Sequence, residues 1–166
     1  MRRREFWLFG GAIVTLALDQ ITKAMVANRL PLWQPWNPVA GLDRIVSLTR
    51  ITNTGVAFGL FPQAGMLFSI VPVLVVLAIL IYYRKMSVGQ RLLQVTLGLQ
   101  LGGALGNLVD RLRLGYVVDF IDFKIWPVFN IADSALVVGT VLLSYHILTE
   151  PEPPVRETEL SAETGS

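Results

Sequence analysis

Apolar residues along this chain gather into four long runs, at about residues 6–27, 64–83, 92–109 and 131–148. Each is close to the ~20 residues that a helix needs to cross a hydrocarbon layer. The pattern therefore predicts a membrane all-α fold with four transmembrane helices. The second run carries no charge, so nothing in it needs a polar partner. Pro72 within it is tolerable in a membrane helix, where neighbouring groups re-satisfy the freed carbonyl. The first run is interrupted by Asp19 and Lys23, and the fourth contains Asp133 near its start. Arg2, Arg3 and Arg4 before the first run also fit a cleaved signal peptide. The run is long, however, and no convincing small-x-small site follows it, so it reads as an uncleaved helix.

The segments between the runs are patterned too. Residues 31–38 place Trp33 and Trp36 among three prolines, which suits an anchor at the membrane interface. Residues 44–52 are rich in β-branched side chains and predict a strand, closed by a turn at Asn53-Thr54-Gly55. Residues 116–123 are also strand-like, and the two connections are able to pair into a small sheet at the membrane surface.

Composition supports a membrane protein. Of 166 residues, 53% are hydrophobic and 16% charged, and mean hydropathy is +0.56; soluble domains carry about 25% charged residues. A soluble enzyme, a disordered chain and a nucleic-acid binder are all poor fits. There is no cysteine and one histidine, which excludes thiolate chemistry and Cys-based metal sites and makes a His-rich site improbable. The net charge of +2 conceals a +6 body, residues 1–149, and a −4 tail, residues 150–166. The body is expected to form a single membrane domain. The tail, rich in Pro, Glu and Ser/Thr, is expected to be disordered. An even number of spans puts both termini on one side. The basic clusters Arg2–Arg4 and Arg84, Lys85 and Arg91 assign that side, with the second connection, to the cytoplasm. Residues 28–63 and 110–130 then form two outer loops.

Between positions 6 and 149 every acid is an aspartate, so carboxylate chemistry in the body would fall to Asp. Ionisable residues near a span are functional hypotheses by default. Asp19 and Lys23, spaced i, i+4, share one helix face in the favourable order and read as a structural pair. Gly98, Gly102 and Gly106 form a small-residue face for close helix approach. Asn107 and Arg111, again i, i+4, can face one point. Arg111 either pairs with a carboxylate such as Asp110 or donates to a peptide carbonyl. In an extended 116–123, Asp119 sits in an apolar row with Val117, Ile121 and Phe123, where desolvation would favour its protonated form. Asp122 reads as the solvated residue of the other face. Asn130 suits an N-cap, with Asp133 in the first turn, where the helix dipole favours an ionised acid. A neutral acid and an ionised acid make a general acid/base pair, although two aspartates can equally relay protons or bind a cation.

Five segments carry a family resemblance. They are Asp19-Gln20-Ile21-Thr22-Lys23, Asn53 through Gly59, Gly102 through Arg111, Gly115 through Phe120, and Phe129 through Ser134. With them in order between four apolar runs, residues 6–148 resemble the bacterial lipoprotein signal peptidases (signal peptidase II). The resemblance implies an inner-membrane aspartic endopeptidase that cleaves prolipoproteins before a diacylglyceryl-modified cysteine. It implies a small periplasmic β-cradle and a short periplasmic helix. It matches Asp119 and Asp133 to the catalytic pair and Asn53, Asn107, Arg111 and Asn130 to polar residues around the site. Asp19, Lys23, Gly102 and Gly106 take structural roles. The expected partners are the lipid-modified prolipoprotein and membrane lipids, with no cofactor, metal or nucleic acid.

Overall fold

The computed structural model describes residues 3–39, 41–55, 65–85 and 90–149. Among these the chain runs α1 (Arg3–Arg29), β1 (Pro35–Trp36), β2 (Val46–Asn53), α2 (Gly65–Lys85), α3 (Arg91–Leu114), β3 (Val117–Phe123) and α4 (Ile131–Thr149). The expected tail and the first outer loop from residue 56 to 64 lie outside the described residues. The described parts of the two outer connections contain no helix, so the expected short outer helix has no counterpart there.

Three helical stretches are long and apolar enough to cross a membrane: Phe6–Arg29, Arg91–Leu114 and Ile131–Thr149. The described part of α2 adds a shorter apolar stretch, Ile70–Arg84. The outward surface is apolar, as a lipid-facing surface should be, with Ile13, Val14 and Ile21 of α1 and Val137, Val141 and Ile147 of α4 all exposed. The third helix runs five residues beyond the expected end at Val109 and takes Asp110 and Arg111 with it. It stops at Gly115, whose φ of 80° and N–H bond to the Arg111 carbonyl form a left-handed C-cap. Asp110 does not end the helix because its carboxylate finds buried partners, given below.

Helix α3 is the centre of the bundle and packs against α1, α2 and α4. Its glycines explain how closely. A Cβ at Gly98 would lie 2.6 Å from the Leu8 carbonyl oxygen, and one at Gly102 would lie 2.6 Å from that of Ala12. The opposite face uses Gly103, where a Cβ would meet the Ala132 carbonyl at 2.5 Å. The expected glycine face is therefore the α1 contact, and Gly103 adds an α4 contact that four-residue spacing did not disclose. Gly98→Ala is expected to lower the unfolding midpoint in detergent, at a cost of about 1–3 kcal/mol for overpacking. Gly98 is about 13 Å along the helix from Asn107, so activity per folded molecule should be unchanged. Equal midpoints would show that the contact is not tight.

The three strands form one antiparallel sheet in the order β1-β2-β3. The proline-rich segment supplies β1, with Pro35 as the first residue of an edge strand, where a missing N–H is tolerated. Trp33 and Trp36 remain exposed, consistent with an interfacial anchor. Val118 and Phe120 of β3 pack with Val26 of α1, and Leu48 and Ile131 join them. This cluster seats the sheet on the helix ends.

Candidate active site

The site forms where the C-terminal ends of α1 and α3, the N-terminus of α4 and the sheet converge. Asp119 comes from β3. It is 1% exposed, and both its oxygens are engaged. Asn53 Nδ2 donates to Oδ2 at 2.8 Å and Asn130 Nδ2 donates to Oδ1 at 2.6 Å. The Asn53 contact depends on an irregularity in the sheet. Leu48 pairs with Ile121, but Ile51 pairs with Asp119, so β2 carries one extra residue. With uninterrupted pairing Asn53 would point to the face opposite Asp119, because side chains alternate along a strand. The bulge reverses that parity and makes Asn53 the diagonal neighbour of Asp119 on the same face.

Asn130 reaches Asp119 because the return from β3 folds back on it. Phe129 bridges Ile121 in antiparallel fashion, with Ile121 N–H donating to the Phe129 carbonyl at 2.8 Å and Phe129 N–H donating back at 3.1 Å. Asn130 then caps α4 as expected. Asp133 N–H donates to Asn130 Oδ1 at 2.9 Å, and Asn130 N–H donates to Asp133 Oδ2 at 3.3 Å. This reciprocal cap uses one oxygen of Asp133. The other, Oδ1, accepts from Asn107 Nδ2 at 2.8 Å. Asn130 and Asn107 are themselves joined, Nδ2 to Oδ1, at 3.1 Å. A continuous chain of amides thus links the two aspartates. Capping therefore occupies one oxygen of Asp133 and leaves the other to Asn107.

A buried charge cluster supports this chain. Lys23 Nζ lies 2.8 Å from Asp19 and 3.1 Å from Asp110, and it donates to Asn107 Oδ1 at 3.0 Å. All four residues are at most 5% exposed. Asp19 accepts the Ala132 N–H at 3.0 Å and Asp110 accepts the Val118 N–H at 3.0 Å. One ion cluster therefore fixes the backbone immediately before both Asp119 and Asp133. The expected structural pairing of Asp19 with Lys23 is present and wider than i, i+4 spacing implied. Gln20 completes it, donating to Asp19, the Gly106 carbonyl and Asp110. Gly106 leaves the room, since a Cβ there would lie 2.5 Å from Asp19 Oδ2.

Two expectations need correction. Asp110 does not pair with Arg111; it pairs with Lys23, because adjacent helical residues point about 100° apart. Half-buried Arg111 makes no ion pair among the described residues, and its charge acts chiefly on Asp133 and Asp119. Asp122 is not a bland solvated residue either. It accepts from Ser47, Thr49 and Lys124 at 3.1, 2.8 and 2.6 Å. Burial alone would raise its pKa, but these donors outweigh burial and hold it below the ordinary carboxylate value. The sequence names Gln20 only as part of the Asp19–Lys23 segment and gives it no role of its own, although its place between the two charges was a signal.

The two acids differ in environment. Burial pushes Asp119 up to about 6, and the charge of Asp133 adds to the rise, while Asn53, Asn130 and Lys23 oppose it. Asp133 is half-buried and opens on a groove of about 450 Å³ lined by Trp126, Phe129, Ser134, Val137 and Val138. A buried acid of raised pKa beside a more accessible one, with an apolar groove alongside, can hold a water molecule and a peptide bond between a proton donor and a proton acceptor.

Comparison with known proteins gives concordant results. The family described as Signal peptidase (SPase) II matches residues 11–149. The lipoprotein signal peptidase of Moorella thermoacetica is 45% identical over 137 residues, covering 82% of this chain and 89% of the relative. That of Caldanaerobacter subterraneus subsp. tengcongensis is 47% identical over 139 residues, covering 81% and 93%. A bacterial membrane enzyme solved by the in meso method at 1.9 Å resolution superposes with a TM-score of 0.76 at 30% identity, covering 85% of this chain and 92% of its own.

Proposed function

The chain belongs to the signal peptidase II family, and on that footing we propose that Asp119 and Asp133 are the catalytic pair with which it removes signal peptides from prolipoproteins. It is a membrane aspartic endopeptidase that cleaves before the lipidated cysteine. The observation that carries the assignment is the amide chain Asn53–Asp119–Asn130–Asn107–Asp133, which joins two acids of unlike burial.

The chemistry follows from that difference. Asp133, whose oxygens accept from Asn107 and the Asn130 N–H, takes a proton from a bound water. Asp119, protonated, gives its proton to the oxygen of the scissile carbonyl. The water oxygen bonds to the carbonyl carbon and a neutral gem-diol forms. Its collapse breaks the C–N bond, with the proton now on Asp133 passing to the leaving amine nitrogen and one hydroxyl proton returning to Asp119. Arg111 is the cation for a peptide carbonyl of the substrate. The groove beside Asp133 takes apolar parts of the substrate.

The membrane placement is read from charge. Arg3 and Arg4 begin α1, and Arg84, Lys85 and Arg91 stand where α2 ends and α3 begins, at the helix ends opposite the sheet, so the sheet and the aspartates belong at the outer face of the bacterial inner membrane, and both termini belong in the cytoplasm. Helix α2, with 21 residues, is the fourth span, since a helix of that length reaches about 31 Å. Residues 1–149 make one peptidase domain, with residues 150–166 as an appended acidic tail.

Purified protein given matched prolipoprotein substrates, with and without diacylglycerol on the cysteine, should cut the modified form and leave the cysteine as the new N-terminus. A cut elsewhere, or none, would refute the assignment. The pH profile offers a second check. A proton donor with a pKa of about 6 makes kcat/KM fall as pH rises through that value. Asn53 lowers the pKa by donating to the ionised form, so Asn53→Ala should move this fall to higher pH. A shift to lower pH, or none, would remove Asp119 from the donor role.

A further inference from the structure

One flank of α1 carries a groove that the reaction leaves unused. Met25, Val26, Leu30, Trp36 and Leu48 line about 310 Å³, with Arg29 as its charged member. The groove is preformed, because Arg50 Nη1 donates to the Ala27 carbonyl at 2.7 Å and to that of Leu30 at 3.4 Å, holding the end of α1 against the sheet. Arg29 is exposed, and no carboxylate among the described residues lies within ion-pair distance of it. Leading up to it on the same helix, Leu18, Ile21 and Met25 are all about half exposed. Their spacing places them and Arg29 along one face. From Leu18 to Arg29 the helix rises about 16 Å, roughly half the ~30 Å hydrocarbon thickness of a bilayer. The stripe therefore matches one leaflet, with exposed Arg29 and exposed Trp36 at its polar edge, while the Arg50 guanidinium is spent on the helix carbonyls.

We propose that this groove is a binding site for an anionic glycerophospholipid. The phosphate lies against the Arg29 guanidinium. The glycerol and upper acyl carbons contact Trp36 and Leu48, and one acyl chain runs down Met25, Ile21 and Leu18. A free anion would gain nothing from the apolar stripe. A zwitterionic lipid would bring its own ammonium to compete with Arg29 for the phosphate. The site depends on α1 spanning the bilayer and is independent of the chemistry at the aspartates.

Native mass spectrometry of the purified full chain in detergent, with equimolar dioleoylphosphatidylglycerol and dioleoylphosphatidylcholine, tests this. One phosphatidylglycerol should be retained about fivefold in preference, the gain expected of one cation facing an anionic headgroup. Arg29→Gln should bring the two lipids to parity, and Arg29→Lys should keep the preference. Met25→Trp, which fills the groove, should reduce retention of both. Neither position touches the aspartates, so prolipoprotein cleavage should persist in each variant and attest to its fold. Equal retention by the parent protein, a preference surviving in Arg29→Gln, or displacement of the lipid by equimolar inorganic phosphate would each overturn the proposal.

Discussion

Asp133→Asn and Asp119→Asn are each expected to reduce prolipoprotein cleavage by about 10³-fold or more while leaving the protein folded, the upper part of the range for loss of a positioned acid or base. The two variants fail for different reasons. At position 133 the single amide oxygen keeps the Asn130 N–H bond and gives up the one from Asn107, and the backbone bond to Asn130 Oδ1 is untouched, so the α4 cap survives, but the amide cannot take a proton from water. At position 119 the amide cannot deliver a proton to the carbonyl oxygen. Because the acids act as a unit, the double variant should be little worse than either single one. The measurement is single-turnover cleavage beside a thermal unfolding curve for each variant. Cleavage within tenfold of the parent in either single variant would remove that residue from the chemistry.

The second large effect concerns Lys23. Lys23→Met removes one cation from between two buried carboxylates, Asp19 and Asp110, and deprives Asn107 of a donor. Breaking a buried pair by removing one partner costs about 3–5 kcal/mol, against a total stability of about 5–15 kcal/mol for a typical protein. The unfolding midpoint should therefore fall steeply and the yield of folded protein with it. Asp19→Asn combined with Asp110→Asn in the Lys23→Met background should restore folding in part, since both amides can still accept the Ala132 and Val118 N–H groups. A Lys23→Met variant that accumulates and unfolds like the parent would show that the cluster is not what holds the site.

Much of this architecture was legible in the sequence. Three of the four apolar runs became helices long and apolar enough to cross a membrane, the second became the shorter apolar stretch of α2, and the two strand-like segments pair. The N-cap motif at Asn130 correctly located Asp133, because capping is local chemistry that a few residues specify. The burial of Asp119 was legible because the alternation of a strand sets it in an apolar row. What was not legible is non-local. The extra residue in β2, which turns Asn53 towards Asp119, emerges only from the pairing of strands far apart in sequence. Pairing with Asp110 was one of two roles open to Arg111, whereas the partner of Asp110, Lys23, lies on another helix. Asp122 looked solvated because its Ser47 and Thr49 donors come from the other strand.

The central claim is that water, activated between Asp119 and Asp133, attacks the peptide bond directly. Its most direct test is single-turnover cleavage of a diacylglyceryl-modified prolipoprotein in ¹⁸O-labelled water containing excess hydroxylamine, with mass analysis of the released signal peptide. Direct attack predicts a labelled free carboxylate and no hydroxamate. A hydroxamate at the new C-terminus would reveal an acyl-enzyme and contradict the account.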